Sequence, residues 1–296
     1  MPAQKNVLIT GCGPNGIGGA LAREFQLRGH RVFASGLSES LLVRFRDDLG
    51  MEIVVTDVTS RASVEGAVAR VSEATGGRLH VLINAAGVLH ISPFADTEVE
   101  DARRVFDVNV LGVWAVTRAF LPLLVAAAAD GDGHAVVANL ASINSVLRPP
   151  FLAAYNASKA AVEVLGATLR TELAPLGVRV VTLKTGGVRT DLFNNAPPVK
   201  LPHGSLYAPL REFIEGRKML EAGSYMDADQ YARNVVSELL KPSVKQVVWQ
   251  GGMTTIAWIL SWFGWDSLLV SAVERPIISS PAIKQTRLYV LGPPVN

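Results

Sequence analysis

The first thirty residues combine a short apolar segment, a turn rich in glycine and a helical pattern. Residues 6–10 predict a buried strand, and four glycines follow within residues 11–18 before apolar positions recur at helical spacing. Glycines let backbone N–H groups approach an anion, and the positive end of the helix dipole favours it. A tight turn alone would also use glycine, but its place between a strand and a helix favours a pyrophosphate site. The predicted contacts there are Gly11, Gly16, Ile17 and Gly18.

The rest of the chain continues this alternation of strand and helix up to about residue 250. It predicts an α/β fold with a doubly wound parallel sheet in one domain. The hydrophobic fraction of 49% against 18% charged residues agrees with one large core, and the net charge of +2 gives no reason to expect a nucleic-acid surface. The further strands are predicted at residues 31–35, 53–56, 79–83, 134–140, 178–183 and 244–249. Helices are predicted at 39–49, 99–128, 153–176 and 227–240, and another ends near residue 75.

Tyr155 and Lys159 are candidate catalytic residues, because they lie one turn apart on a predicted helix. Ser142 lies thirteen residues before the tyrosine. A cation held beside a phenol lowers its pKa from about 10 and makes it a useful acid near neutral pH. The Ser142 hydroxyl could hold a carbonyl oxygen in line with Tyr155. The same spacing also occurs on ordinary surface helices, so the companion residues decide between the two interpretations.

Those companions are the glycine turn, the tetrad Asn84-Ala85-Ala86-Gly87 after a strand, and Asn109 in a long helix. Together with Ser142, Tyr155 and Lys159 they resemble the short-chain dehydrogenase/reductase family, over about residues 5–250. Two departures from the usual family pattern are similar to a fungal subset of 1-acyl-dihydroxyacetone-phosphate reductases. The glycine turn is one residue longer, and Thr185-Gly186-Gly187 replaces the usual Pro-Gly.

The resemblance implies a Rossmann-type fold and hydride transfer between a nicotinamide cofactor and a ketone or secondary alcohol. Tyr155 would be the acid, Ser142 would orient the oxygen, and Lys159 would hold the ribose and lower the tyrosine pKa. Asn109 would hold a water that supplies protons to Lys159, or it would only satisfy a neighbouring carbonyl. The resemblance also implies that these residues bind the cofactor: Gly11, Gly16, Ile17, Gly18, Asp57, Val58, Asn84, Ala85, Gly87, Tyr155, Lys159, Gly186, Val188 and Thr190.

Asp57 has a second interpretation, as the cap of the next helix instead of a partner for adenine. Cofactor choice depends on the residues after the second strand, which are Gly36-Leu37-Ser38. No carboxylate there repels a 2′-phosphate, and Ser35 and Ser38 could donate hydrogen bonds to it. We therefore favour NADP(H), with NAD(H) not excluded. With one cysteine, Cys12, the chain offers neither a disulfide nor a cysteine cluster, and we expect no metal.

Two segments lie outside the regular pattern. Residues 193–226 contain four prolines and predict a substrate lid, while residues 251–296 form an apolar extension rich in tryptophan. Within it, the run from Thr254 to Val273 is long enough to span a bilayer but is broken at Gly264 and Asp266. Three interpretations remain open: a wall over the substrate site or an oligomer contact, an anchor in a membrane surface, and a membrane span.

We expect a carbonyl reductase acting on a lipid-like ketone such as acyl-dihydroxyacetone phosphate, or alternatively an enzyme of a fungal-type secondary-metabolite pathway. Its partners would be a small ketone or alcohol and a second copy of the chain, with possible peripheral membrane contact and no nucleic acid. Residues 1–6 are polar and run into the first strand, leaving no room for a signal peptide. We therefore expect an intracellular protein, either cytoplasmic or peripheral on an organelle or lipid-droplet membrane, and not a secreted one.

Overall fold

The computed structural model describes residues 4–129, 134–218 and 223–263. Their centre is a parallel sheet of seven strands in the spatial order β3-β2-β1-β4-β5-β6-β7. The order runs outward in opposite directions from β1 and β4, so a crevice opens at the carboxyl ends of these two strands. The strands are β1 Asn6–Ile9, β2 Arg31–Gly36, β3 Glu52–Val55, β4 Val81–Asn84, β5 Ala135–Ser142, β6 Val178–Thr185 and β7 Val247–Gln250.

Helices cover both faces of the sheet, which explains why its central strands are apolar on both sides. The helices are α1 Ile17–Leu27, α2 Glu39–Asp47, α3 Arg61–Thr75, α4 Val99–Phe106, α5 Gly112–Ala128, α6 Asn144–Leu147, α7 Ala153–Leu173, α8 Leu192–Asn195, α9 Arg211–Glu215, α10 Ala228–Leu239 and α11 Thr254–Phe263. One core cluster joins α1, α2 and α10 to the sheet. A second joins α3 and α5 to the opposite face. The prediction of a doubly wound, single-domain α/β fold is confirmed.

The predicted helix 99–128 contains a π-helical turn, Asp107–Leu111, between α4 and α5. This whole stretch is long and apolar enough to cross a bilayer by length and composition. Its inner face, however, packs on the sheet through side chains such as Val116, Phe120 and Leu124. It is therefore a core helix of the fold.

The predicted lid, residues 193–226, has a small core of its own in its described part. Leu201, Leu210 and Ile214 pack with Leu89 and Leu152, which lie beside the crevice. Within the lid, Arg217 donates hydrogen bonds to the carbonyls of Ala196 and Pro197, among others. The lid is therefore folded against the domain.

The described part of the extension consists of residues 251–253 and helix α11. Ala257 is buried, whereas Ile256, Trp258, Ile259 and Trp262 are exposed. The predicted tail beyond residue 263, including Trp265, Gly264 and Asp266, lies outside the described residues.

Candidate active site

The glycine turn folds tightly against the segment after β4. Gly11 has φ +70°, and a Cβ added there would lie 2.6 Å from Cα of Ala86. A Cβ on Gly18 would lie 2.6 Å from the carbonyl oxygen of Gly11. Gly16 precedes α1 and offers no side-chain cap, so the first N–H groups of that helix, from Ile17 onward, remain available for an anion. The turn therefore fits the pyrophosphate of a dinucleotide.

Thr10, which the sequence did not single out, ties β1 to the tetrad. Its Oγ1 accepts hydrogen bonds from the backbone N–H groups of Ala85 and Ala86, at 3.1 and 3.2 Å. The Asn84 side chain instead faces the interior, where Nδ2 donates to Asn139 and Thr117 at 2.8 and 2.9 Å. The Asn84 side-chain amide thus joins β4 to β5 and α5, and a contact of Asn84 with the cofactor stays a prediction. Ala85 remains at the crevice.

Asp57 orders the turn after β3 and does not cap α3. Its Oδ1 accepts hydrogen bonds from the N–H and the hydroxyl of Thr59, at 2.9 and 2.7 Å. Ser60 is the cap of α3 and accepts from the N–H of Ser63. Val58 is buried against Gly112 of α5, where a Cβ would lie 2.7 Å from the valine side chain. A contact from Asp57 and Val58 to adenine stays a prediction.

At the end of β2, Ser35 does not have the exposed hydroxyl that was expected to bind a 2′-phosphate. The Ser35 side chain is buried, and its Oγ is enclosed without a hydrogen-bond partner. Its predicted bond to a 2′-phosphate therefore does not fit this structure, because the strand turns this side chain into the core. Leu37 is 66% exposed at the rim. Ser38 precedes α2, and its hydroxyl lies 2.9 Å from that of Ser40.

Ser142, Tyr155 and Lys159 come together at the carboxyl end of β5. Ser142 is the last residue of that strand, and its Oγ accepts a hydrogen bond from the N–H of Asn144 at 3.1 Å. The Tyr155 hydroxyl is hydrogen-bonded to Ser142. Lys159 donates from Nζ to the Leu140 carbonyl at 2.7 Å, and the same nitrogen lies 5.7 Å from the centre of the Tyr155 ring. An acid, a second hydroxyl and a cation thus share one small volume.

The pKa values differ from the sequence expectation. Burial raises the pKa of Tyr155 to about 12, and its hydrogen bond with Ser142 opposes this. Burial lowers the pKa of Lys159 to about 8. The expected lowering of the tyrosine pKa by Lys159 is therefore absent here, because the ammonium is itself desolvated and donates to Leu140 instead of the phenol.

Asn109 lies in the π-helical turn and is fully buried. Its Oδ1 accepts from the N–H of Val88 at 2.8 Å, while Nδ2 donates to the carbonyl of Val88 and to Ser158, both at 3.0 Å. A Cβ on Gly87 would lie 3.3 Å from Asn109 Oδ1 and 3.6 Å from Lys159 Nζ. Asn109 therefore has the structural use that the sequence allowed, and a proton-supplying role stays a prediction.

A cavity of about 200 Å³ opens beside Ser142 and Tyr155. No described residue that lines it carries a charge. Gly186, Val188 and Thr190 line it from the segment after β6, as does Ile17 from the glycine turn. The other walls are mainly apolar or aromatic: Leu89, Ile143, Leu147, Leu152, Leu192, Phe193, Tyr225 and Met253.

Two further contacts fix the segment after β6. Thr185, which stands where proline is usual, lies 2.7 Å through its hydroxyl from the hydroxyl of the fully buried Tyr231. Asn15, in the lengthened glycine turn, donates to the Asp191 carboxylate at 2.7 Å. Both pairs join residues distant in sequence, and the Asn15–Asp191 bond links the two sides of the crevice.

Comparison with known proteins agrees with this geometry. The short chain dehydrogenase family profile matches residues 5–200. The chain belongs to this family. "Short-chain dehydrogenase fogD" of Aspergillus ruber is 36% identical over 274 residues, which cover 92% of each chain. The "NADPH-dependent 1-acyldihydroxyacetone phosphate reductase" of Schizosaccharomyces pombe is 36% identical over 273 residues, 86% of this chain and 88% of that one.

Among solved structures, a short-chain dehydrogenase from Streptomyces avermitilis aligns with a TM-score of 0.75 and 25% identity, covering 94% of this chain and 99% of that one. Short-chain dehydrogenases are oxidoreductases that act on CH–OH groups of small molecules with NAD(P), and they are often oligomeric. The present chain is therefore an oxidoreductase of this kind.

Proposed function

We propose that this short-chain dehydrogenase is an NADPH-dependent carbonyl reductase for an uncharged, apolar ketone. The observation that carries the proposal is the cavity beside Ser142 and Tyr155, whose described lining has no charged side chain. An anionic substrate would lose its hydration there without gaining a counter-charge, whereas an apolar ketone would gain from leaving water.

In the proposed mechanism, Ser142 and Tyr155 donate hydrogen bonds to the carbonyl oxygen of the substrate. A nicotinamide cofactor held by the glycine turn around Gly11 and Gly16 would supply a hydride for the carbonyl carbon. Tyr155 then gives its proton to the oxygen, so that an alcohol leaves. Burial lowers the pKa of Lys159 to about 8, so Lys159 can exchange protons near neutral pH and return a proton to Tyr155 after each turnover. The reverse direction oxidises a secondary alcohol with the same groups.

The preference for NADP(H) rests on the rim after β2. The segment Gly36-Leu37-Ser38 holds no carboxylate. The exposed hydroxyls of Ser38 and Ser40 stand at the start of α2, where Ser38 makes no cap with its side chain. Hydroxyls and N–H groups at a helix start suit a phosphate. The Schizosaccharomyces pombe relative is also named NADPH-dependent.

A second candidate function is the reduction of acyl-dihydroxyacetone phosphate, favoured by the name of that same relative. Its phosphate would have to lie outside the uncharged cavity. Similarity to fungal short-chain dehydrogenases of secondary metabolism supports the alternative, a role in a fungal-type secondary-metabolite pathway. A neutral ketone of such a pathway would suit the cavity.

The experiment compares substrates for the purified protein with NADPH. Acetophenone, butyrophenone and octanophenone represent neutral ketones, and a 1-acyl-dihydroxyacetone phosphate represents the charged alternative. We expect a higher kcat/KM for a neutral ketone. Preference for the phosphate ester would favour the second candidate, and no NADPH oxidation with any carbonyl compound would refute the reductase proposal.

We also propose that helix α11 brings the enzyme into contact with a membrane. Helix α11 presents Ile256, Trp258, Ile259 and Trp262 outward and carries no charged residue, which suits peripheral contact with an organelle or lipid-droplet membrane inside the cell. Flotation with phosphatidylcholine vesicles should carry the intact protein but not a variant ending before Thr254. A homo-oligomer is the competing partner, and it would appear in light scattering without vesicles.

A further inference from the structure

Three backbone segments cross at the edge of the cavity, and we call this crossing the glycine junction. They are Gly186–Val188 after β6, Ser224–Met226 at the end of the lid, and Gly251–Met253 after β7. Gly187 and Gly252 exchange two backbone hydrogen bonds, at 2.8 and 3.0 Å. Met226 donates to the Gly187 carbonyl at 3.0 Å. The C-terminal extension is thus joined directly to the segment that lines the active site.

The glycine junction leaves no room for side chains. A Cβ on Gly252 would lie 1.8 Å from the Ser224 carbonyl oxygen, and one on Gly187 would lie 2.2 Å from the same atom. A Cβ on Gly186 would lie 2.0 Å from the Gly252 carbonyl oxygen. Since all these neighbours are backbone atoms, a larger residue must move a whole segment. The three segments are therefore held in fixed relative positions.

Met253 follows directly and takes a left-handed conformation, with φ +63°. This conformation is uncommon for a residue with a side chain and turns the backbone sharply into α11. Thr254 supports the turn by donating from its hydroxyl to the Gly251 carbonyl at 2.8 Å. The Met253 side chain lines the cavity while the residue stays 40% exposed, so it stands at the cavity mouth.

We propose that Met253 is a specificity-determining residue of the active site, and that Gly252 is the positioning residue that places it there. The proposal rests on the proposed reductase function and adds one claim. The thioether chain limits the length of the ketone substituent that enters the cavity, which Phe193 and Tyr225 also line, their rings packing edge to face at 6.1 Å.

The test uses the ratio of kcat/KM for octanophenone to that for acetophenone. Met253→Ala shortens the side chain at the cavity mouth and should raise this ratio at least about tenfold, the lower end of what one such contact discriminates. The matched control is Ile256→Ala, which removes an exposed apolar side chain from the same extension without touching the cavity. Its ratio should equal that of the unmodified protein.

Gly252→Ala tests the positioning role. By displacing the Ser224 segment, this substitution should lower the melting temperature and also change the selectivity ratio. If Gly252 had only a structural role, its substitution would change only the melting temperature. Gly66→Ala is the control, since a Cβ there meets nothing within 4 Å. An unchanged ratio in folded Met253→Ala, with the unmodified protein active on both ketones, overturns this inference alone. Lack of activity in the unmodified protein would instead refute the proposed function.

Discussion

Replacing Lys159 by methionine should make the protein more stable and catalytically inactive. Lys159 is 4% exposed, and burial lowers its pKa from 10.5 to about 8. The gap between these values corresponds to about 3 kcal/mol that the folded protein loses by holding the charged form. Methionine removes this loss but also the bond from the ammonium to the Leu140 carbonyl, worth about 2 kcal/mol for a charged donor. The net gain at pH 7 is therefore about 1 kcal/mol.

The stability gained by Lys159→Met should decrease as pH rises. Below pH 8 the folded and unfolded states both carry the ammonium, so the loss is complete. As pH rises from about 8 to 10.5, the folded protein releases its proton before the unfolded chain does, and the native lysine regains stability. The advantage of Lys159→Met should shrink and then reverse toward pH 10. The Tyr155 phenol begins to ionise in the unfolded chain near pH 10, but both proteins carry this tyrosine, so its effect cancels in the difference between them.

The assay is urea unfolding of both proteins without nucleotide, followed by tryptophan fluorescence at pH 7, 8, 9 and 10. Lys241→Met is the control, because the Lys241 side chain is 52% exposed, although its partner Glu238 is largely buried. Removal of Lys241 should bring no gain in stability at pH 7, since this ammonium remains in contact with water. If the Lys159→Met difference does not change between pH 7 and pH 10, the lysine pKa is not lowered and the account of burial at this site is wrong.

Three further predictions concern catalysis and the cofactor. Tyr155→Phe should bind NADPH normally but lose at least about 100-fold in turnover, and retained activity would exclude Tyr155 as the acid. Leu37→Arg should raise the kcat/KM preference for NADPH over NADH and Leu37→Asp should reverse it; equal or faster rates with NADH in the unmodified protein would contradict the NADP assignment. Asp191→Ala removes the bond from Asn15 across the crevice and should speed NADPH release in stopped flow by about 2- to 10-fold. An unchanged release rate would show that this bond does not hold the cofactor.

The sequence predicted the elements well where the pattern is local. Strand and helix positions follow from apolar runs and helical spacing, and the helix expected at 99–128 occupies those residues. Its π-helical turn at Asp107–Leu111 was not predicted, because a single wider turn leaves the apolar spacing almost unchanged. Ser142 was expected just past β5 and is instead its last residue.

Side-chain direction and long-range contacts were harder to predict. Ser35 was assigned to the rim, but both faces of β2 are buried, so no alternation of polar and apolar residues indicates which way its hydroxyl points. The Thr185–Tyr231 bond and the glycine junction join residues far apart in the chain. Their spacing carries no signal, although the pairs Gly186-Gly187 and Gly251-Gly252 are visible in the sequence.

The most direct test of the central claim follows a labelled hydride. Purified protein is mixed with octanophenone and NADPH that carries deuterium at both positions of nicotinamide C4, and the alcohol is examined by mass spectrometry. The account predicts deuterium on the carbinol carbon with the unmodified protein and at least about 100-fold slower labelling with Tyr155→Phe. Unlabelled alcohol, or equal labelling by both proteins, would contradict hydride transfer to a neutral ketone with Tyr155 as the acid.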